Sequence, residues 1–383
     1  MKDKELQARE VLFKYKKIYD FIGSEQLFLN AVKESVRYHQ VNNPVYHKLL
    51  DSKGFTAEDV KDMKDLDKIP SVPVDFYKTH ELMSISPDKI EVHATSSGTL
   101  GQKSQVFLSK RDIELGTKMM IKSMWHHRFI SLTPTNYLLL GYEPKKGNNM
   151  GNVKVLLGMT KLAPAKEIVF AIRALGDDYQ IDYFGIIKSL ERFSKQPFPV
   201  RIFGFPGYLY MLLSTMKSMD IPPLRLNKKS IIFTGGGWKK MSNLSVTKEK
   251  LHALVEEMLG IPAINCRDFY SAVEHSVAYP ECKYHHMHVP IWSRVIIRDI
   301  KTLENVGFNQ PGFLSFVSPL VSGVPITAVT MGDLAILKDG STCGCGITTP
   351  YFEILGRAGT VQRKSCAVSA SELMERGQYG AFI

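Results

Sequence analysis

"SIIFTGGG", Ser230 to Gly237, is a short apolar run that stops on three glycines. Two upstream runs have the same form: "NYLLLGY" (Asn136 to Tyr142) and "RIFGFP" (Arg201 to Pro206). Stretches of helical spacing lie among them, over Gly185 to Phe193, Tyr208 to Lys217 and Thr247 to Leu259. Strand, glycine turn and helix in alternation predict α/β layering around buried, mostly parallel strands. In such folds ligands sit at the carboxyl ends of the strands, where these glycine turns fall.

Away from this centre the texture changes. Residues 1 to about 50 read as helices, with Leu12, Phe13, Tyr15 and Ile18 on one apolar patch and Leu27, Phe28, Ala31, Val32 and Val36 on the next. Thr56 with Asp59 has the spacing of a capping box. "KIPSVPVDFYK" (Lys68 to Lys78) holds two prolines and reads as an extended segment and turn. From about residue 290 the runs "SRVIIRDI", "GFLSFVSPL", "PITAVTMGDLAIL" and "YFEILGRAG" predict short strands with little helix, a smaller β-rich subdomain. The 24 residues after Gly359 have room for one strand and one helix, "SASELMERG", with Ser369 as N-cap.

The chain has 383 residues, 44% of them apolar, enough for a sizeable core. Its formal charge of +11 suits anionic partners. The lysines and arginines are dispersed, however, and form no block interleaved with aromatics, which argues against nucleic acid. The N-terminus is charged, and the most apolar run, Tyr208 to Leu213, falls well short of the roughly 20 residues of a membrane span. A cytoplasmic protein without a membrane span is the expectation. Five cysteines, an odd number, argue against a closed disulfide framework.

"HATSSGTLGQKSQ" (His93 to Gln105) gathers hydroxyls, bare backbone amides and one lysine. That is equipment for gripping an anion such as a polyphosphate, although such a loop is also a common surface turn. It lacks the G-x-x-x-x-G-K-[ST] spacing of a Walker A loop. Its order of residues resembles the phosphate loop of the adenylate-forming superfamily, which includes the acyl- and aryl-CoA ligases. The resemblance implies that Thr95, Ser96, Ser97, Gly98, Thr99, Gly101 and Lys103 hold the phosphates of ATP. Four further segments follow in that superfamily's order. "TGGGW" resembles its glycine segment beside the adenine, implying a nucleotide role for Gly235, Gly236 and Gly237. "FYSAVEHS" resembles its aromatic-x-x-x-Glu motif, implying Tyr270 near the adenine and Glu274 at Mg²⁺. "TMGDLAIL" implies Asp333 at the ribose. "EILGRAG" implies Arg357 at the ribose or phosphate. Each role has a physical basis: carboxylates hold metal and hydroxyls, and a guanidinium meets negative charge.

A CoA ligase of that superfamily ends in a mobile domain that supplies a lysine. Here only 26 residues follow Arg357. The expected architecture is therefore an α/β adenylate-forming large domain, residues 1–353 with its β-rich subdomain from about 290, and a truncated C-terminal segment, residues 354–383. That segment contains "QRKSCAVSASEL" (Gln362 to Leu373). Arg363 and Lys364 favour the thiolate of Cys366, the nucleophilic form; the plain alternative is a small buried cysteine.

"IPSVPVDFYK", "TSSGTLGQKSQV", "FTGGGWK", "RDFYSAVE", "HVPIW" and "RKSCAVSASE" together resemble the acyl-protein synthetase family of the bacterial luminescence fatty-acid reductase complex. The resemblance spans residues 69 to 373. It implies a ligase that adenylates a long-chain fatty acid, transfers the acyl group to Cys366 and passes it to a fatty-acyl reductase partner, within an oligomer or complex. Two alternatives stand beside it: an acyl- or aryl-CoA ligase using free CoA, and a non-catalytic nucleotide-binding subunit of a reductase complex.

"CKYHHMH" (Cys282 to His288) and "CGCG" (Cys343 to Gly346) form a second constellation. Cys282, His288, Cys343 and Cys345 make a Cys₃His set suited to structural Zn²⁺, with His285 or His286 as substitutes for His288. Free thiols and solvated imidazoles are the plain alternative. The C-x-C feature is similar to the phenylacetate-CoA ligase branch. Cys266 is expected in the core.

Overall fold

A computed structural model describes residues 6–96, 103–145, 151–175, 178–238, 241 and 244–358. The described chain divides into two compact units. One takes the residues up to 123 with 271–279 and those from 286 onward; the other takes 124–270 with 280–285.

The first unit opens with helices α1 (Gln7–Lys14), α2 (Phe21–Asn42) and α3 (Pro44–Ser52), as the apolar spacing predicts. Their ends are set by side chains. Asp20 accepts from the amide of Gly23 at the start of α2, and Asn43 accepts from that of Tyr46 at the start of α3, where Pro44 fills the first turn. Thr56 and Asp59 form the expected capping box, opening a single 3₁₀ turn. The two-proline segment contributes strand β1 (Val72–Pro73) and then a one-turn helix, α4 (Phe76–Thr79), which the sequence reading lacked. Burial explains that turn: Tyr77 is wholly enclosed and its hydroxyl donates to the carbonyl of Pro325. A hairpin, β2 (Ile90–Thr95) and β3 (Gln105–Ser109), follows and leads into α5 (Lys110–His126).

The second unit holds β4 (Thr135–Tyr142), α6 (Gly151–Met159), β5 (Ala165–Leu175), β6 (Asp178–Ile181), α7 (Tyr183–Ser194), β7 (Val200–Gly204), α8 (Pro206–Ser218), β8 (Ile231–Gly235), α9 (Lys248–Leu259) and β9 (Cys266–Ala272). With β10 (His275–Pro280) these strands form a seven-stranded sheet in the order β10-β9-β8-β7-β4-β5-β6. Pairing is parallel from β5 through β4, β7 and β8 to β9, and antiparallel where β6 joins β5. This is the layering that the glycine-stopped runs predict. Leu138, Leu140, Ile202 and Ile232 of the sheet cluster with Ile186, Leu190 and Phe193 of α7, Leu209 and Leu213 of α8, and Val255 and Leu259 of α9. Each such side chain stabilises the unit by about 1.5–3 kcal/mol relative to exposure. Cys266 is 2% exposed in this core, and burial pushes its thiol up to about 12.

The later strands belong to the first unit: β11 (Met287–His288), β12 (Arg294–Arg298), β13 (Pro311–Val317), β14 (Ala328–Lys338) and β15 (Tyr351–Arg357). They pair antiparallel in the order β11-β15-β14-β13-β12, and β1 adds to β14 in parallel. The β-rich region anticipated from about residue 290 is this sheet. The expected C-terminal segment lies outside the described residues from Gly359 on.

Candidate functional site

In the first unit the described ends of the Thr/Ser/Gly stretch, Thr95 with Ser96 and Lys103 with Ser104, belong to the β2–β3 hairpin. Thr95 ends β2 opposite Gln105 of β3. One step further the amide of Ser96 donates to the carbonyl of Ser104, and the amide of Ser104 donates back to Ser96 Oγ over 2.9 Å. The Ser96 hydroxyl thus accepts from the protein and keeps its own proton to donate. Lys103 is exposed beside this closure. Ser97, Gly98, Thr99 and Gly101 lie outside the described residues. The hairpin went unread, although "EVHAT" and "QVFLS" flank the loop with strand-like content.

Glu274 is 5% exposed and makes no hydrogen bond or ion pair among the described residues. A buried carboxylate is costly unless a cation offsets it, so this donor suits a divalent metal ion. Asp333 of β14 faces Arg357 of β15 in register, one residue before a bulge in that ladder. The pairing brings two of the expected nucleotide residues onto one strand pair.

In the second unit β8 ends at Gly235. Gly236 and Gly237 follow with φ of 75° and 65°, a left-handed pair that side chains rarely tolerate. A Cβ at Gly235 would meet the Phe269 ring, its Cδ1 at 2.7 Å, and Phe269 stacks on Phe233 with centroids 5.0 Å apart. The glycines are therefore required by the backbone and by close aromatic packing. Tyr270 is half-buried at the next position of β9.

Asp268, which the sequence reading passed over, is held beside Thr234 at the end of β8. Burial, reinforced by the neighbouring Glu281 carboxylate, raises it to about 7. Glu281 is fully buried. It pairs with Lys248 and accepts from the Asp268 amide over 2.8 Å. The only sequence cue was an acidic residue two positions before the aromatic of the Glu274 motif.

The ligand atoms of Cys282, His288, Cys343 and Cys345 all lie within 4.8 Å of one another. Zinc bonds of about 2.1–2.3 Å arranged tetrahedrally need donors about this close. His288 is fully buried, and its Nδ1 donates to the carbonyl of Thr349 over 2.8 Å. A carbonyl only accepts, so Nδ1 carries the proton and Nε2 presents a lone pair, 3.3 Å from Cys345 Sγ. The amides of Tyr284 and Ile347 donate to the sulfurs of Cys282 and Cys345. Both features fit a thiolate metal set. Of the substitutes, His286 stacks on Tyr351 with Nδ1 3.0 Å from Cys343 Sγ, while His285 turns its Nδ1 toward Glu281 at 3.4 Å. Cys366 lies outside the described residues. No helix among the described residues is long and apolar enough to cross a membrane.

The family profile described as acyl-protein synthetase, LuxE, matches residues 18–375. A long-chain-fatty-acid–luciferin-component ligase of Aliivibrio fischeri is 26% identical over 94% of this chain and 91% of its own length. The protein of the same description from Vibrio harveyi is 27% identical over 91% and 88%. Among solved structures, 2-hydroxyisobutyryl-CoA ligase in an open conformation with 2-HIB-AMP and CoA superposes with a TM-score of 0.63 at 16% identity, over 90% of this chain and 72% of that one. In its postadenylation state the same ligase gives 0.64 at 15% identity, over 94% and 74%. At that identity the likeness is one of fold, that of the adenylate-forming ligases.

Proposed function

This chain belongs to the acyl-protein synthetase (LuxE) family, and from that premise we propose that it is an ATP-dependent ligase. It activates a long-chain fatty acid as the acyl-adenylate and then carries the acyl group on its own Cys366. The family match from 18 to 375 is the observation that carries this reading, because it runs from before the phosphate loop to beyond Cys366. The names of the two ligases from Aliivibrio fischeri and Vibrio harveyi support the long-chain substrate.

The residues divide the work as follows. Thr95, Ser96, Ser97, Gly98, Thr99, Gly101 and Lys103 bind the phosphates. Glu274 would hold a divalent cation, which would supply neutralisation of the phosphate charge. Gly235, Gly236, Gly237 and Tyr270 receive the adenine, and Asp333 and Arg357 hold the ribose and α-phosphate. A fatty carboxylate oxygen attacks the α-phosphorus and pyrophosphate leaves. The Cys366 thiolate then attacks the acyl carbon, forming the thioester as AMP leaves. A fatty-acyl reductase accepts the acyl group from there. Cys282, His288, Cys343 and Cys345 hold a structural zinc ion.

Incubation with labelled fatty acid, ATP and Mg²⁺ should leave a hydroxylamine-sensitive label on the protein. Equal labelling of Cys366→Ser would rule out this cysteine as the acceptor. The C-x-C feature of the Cys₃His set favours a second reading, in which free CoA accepts the acyl group. A CoA-dependent product made by active Cys366→Ser decides for it.

A further inference from the structure

The β2–β3 hairpin has little support of its own. A two-stranded ribbon is marginal in water, and β2 is exposed along most of its length, whereas Val106 and Phe107 of β3 are buried. The position of the hairpin is therefore whatever the contacts of β3 make it.

Several of those contacts fall on one segment, Ser318 to Val324. Gly323 lies against the backbone of Phe107. A Cβ at Gly323 would come 2.7 Å from the Phe107 carbonyl carbon and closer still to its oxygen, so any side chain must push backbone aside. Phe107 stacks on His93 across the hairpin, with ring centroids 4.7 Å apart, and pairs with it in register. On its other flank the Gly323 carbonyl accepts from the amide of Ser84, which fixes the turn from behind.

The base of β3 is held by a buried carboxylate. Asp112 accepts from the amide of Ser109, the last residue of β3, over 3.0 Å. It also accepts from both the amide and the hydroxyl of Ser322. Arg9 of α1, 3% exposed, donates Nη1 to Asp112 Oδ1 and to the carbonyl of Leu320, each over 2.7 Å. A buried ion pair with this many hydrogen bonds has one well-defined geometry.

We propose that the 318–324 turn is the seat of the phosphate-binding hairpin. In it Gly323 sets the distance of β3 and the Arg9–Asp112–Ser322 network sets its orientation. These are positioning residues: they touch the hairpin, and the hairpin presents Thr95, Ser96 and Lys103. The inference rests on the proposed role of that hairpin in binding ATP.

Displacement of a binding element by about 1 Å can cost up to a hundredfold. Gly323→Ala is therefore expected to raise KM for ATP by about tenfold or more in fatty-acid-dependent ATP–pyrophosphate exchange, leaving KM for the fatty acid near wild type. Ser322→Ala should move the same constant in the same direction by less. A folded Gly323→Ala with wild-type KM for ATP, or with both constants raised alike, overturns the proposal. If Gly323→Ala does not fold, Ser322→Ala decides on the same criterion. Equilibrium binding of Mg·ATP to wild type and variants separates the two claims. Wild type that binds ATP but catalyses no exchange refutes the proposed reaction, and the variants' affinities still test the seat. Wild type that binds no ATP overturns both.

Discussion

Glu274 is enclosed with no cation beside it among the described residues. A carboxylate at a buried position without a protein partner is available to bind a cation. Glu274→Gln keeps the shape and removes the charge. It should lower Mg²⁺-dependent ATP–pyrophosphate exchange by about a hundredfold or more. Retained exchange would remove Glu274 from the metal role. The residue type was legible from the motif; its isolation was not, because burial depends on what packs over it. Asp268 shows the converse. Its place two positions before Tyr270 is a faint cue in the sequence, yet burial and the facing Glu281 carboxylate lift it toward neutrality.

At the level of elements, local chemistry predicted most of what formed. α9 runs from its Thr247 cap, which accepts from the Lys250 amide, to Gly260 at φ 68°, close to the stretch read from spacing. The hairpin β2–β3 and helices α4, α5 and α6 are absent from the sequence reading; the exposed two-stranded ribbon and the one-turn helix owe their existence to partners far along the chain. The Cys/His knuckle joins a turn at Cys282 to β11 and to the loop between β14 and β15. With zinc bound, it ties β11 and β15 to a common point. Purified protein should hold close to one zinc per chain by elemental analysis, and Cys345→Ser should hold markedly less. Removal by chelator should lower the melting temperature by several degrees. Metal-free protein of unchanged stability would leave the four residues as ordinary thiols and an imidazole.

For the whole molecule, buried imidazoles contribute to the response to acid. His39 is fully enclosed between the Ser84 hydroxyl and the Val321 carbonyl, and burial lowers it from 6.5 to about 4. Burial also lowers His275, to about 3. The unfolded chain binds these protons near pH 6.5 and the folded chain does not. The stability is thus fully present above about pH 7 and is lost as pH falls toward 4, by about 1.4 kcal/mol per pH unit for each residue. Urea unfolding at pH 7 and pH 5 should show the loss, and His39→Gln should shrink it by about 2 kcal/mol. An unchanged difference would mean that His39 is not buried neutral. By itself the sequence determined the α/β alternation, the approximate extents of α7, α8 and α9 and the order of the motifs, because periodicity, glycine stops and caps act over a few residues. Only the tertiary structure decided that Glu274 stands unpaired, that Cys282 meets Cys343 and Cys345, and that Ser322 reaches Asp112 across 210 positions. Those facts depend on which distant surfaces exclude water together, and no local pattern encodes that.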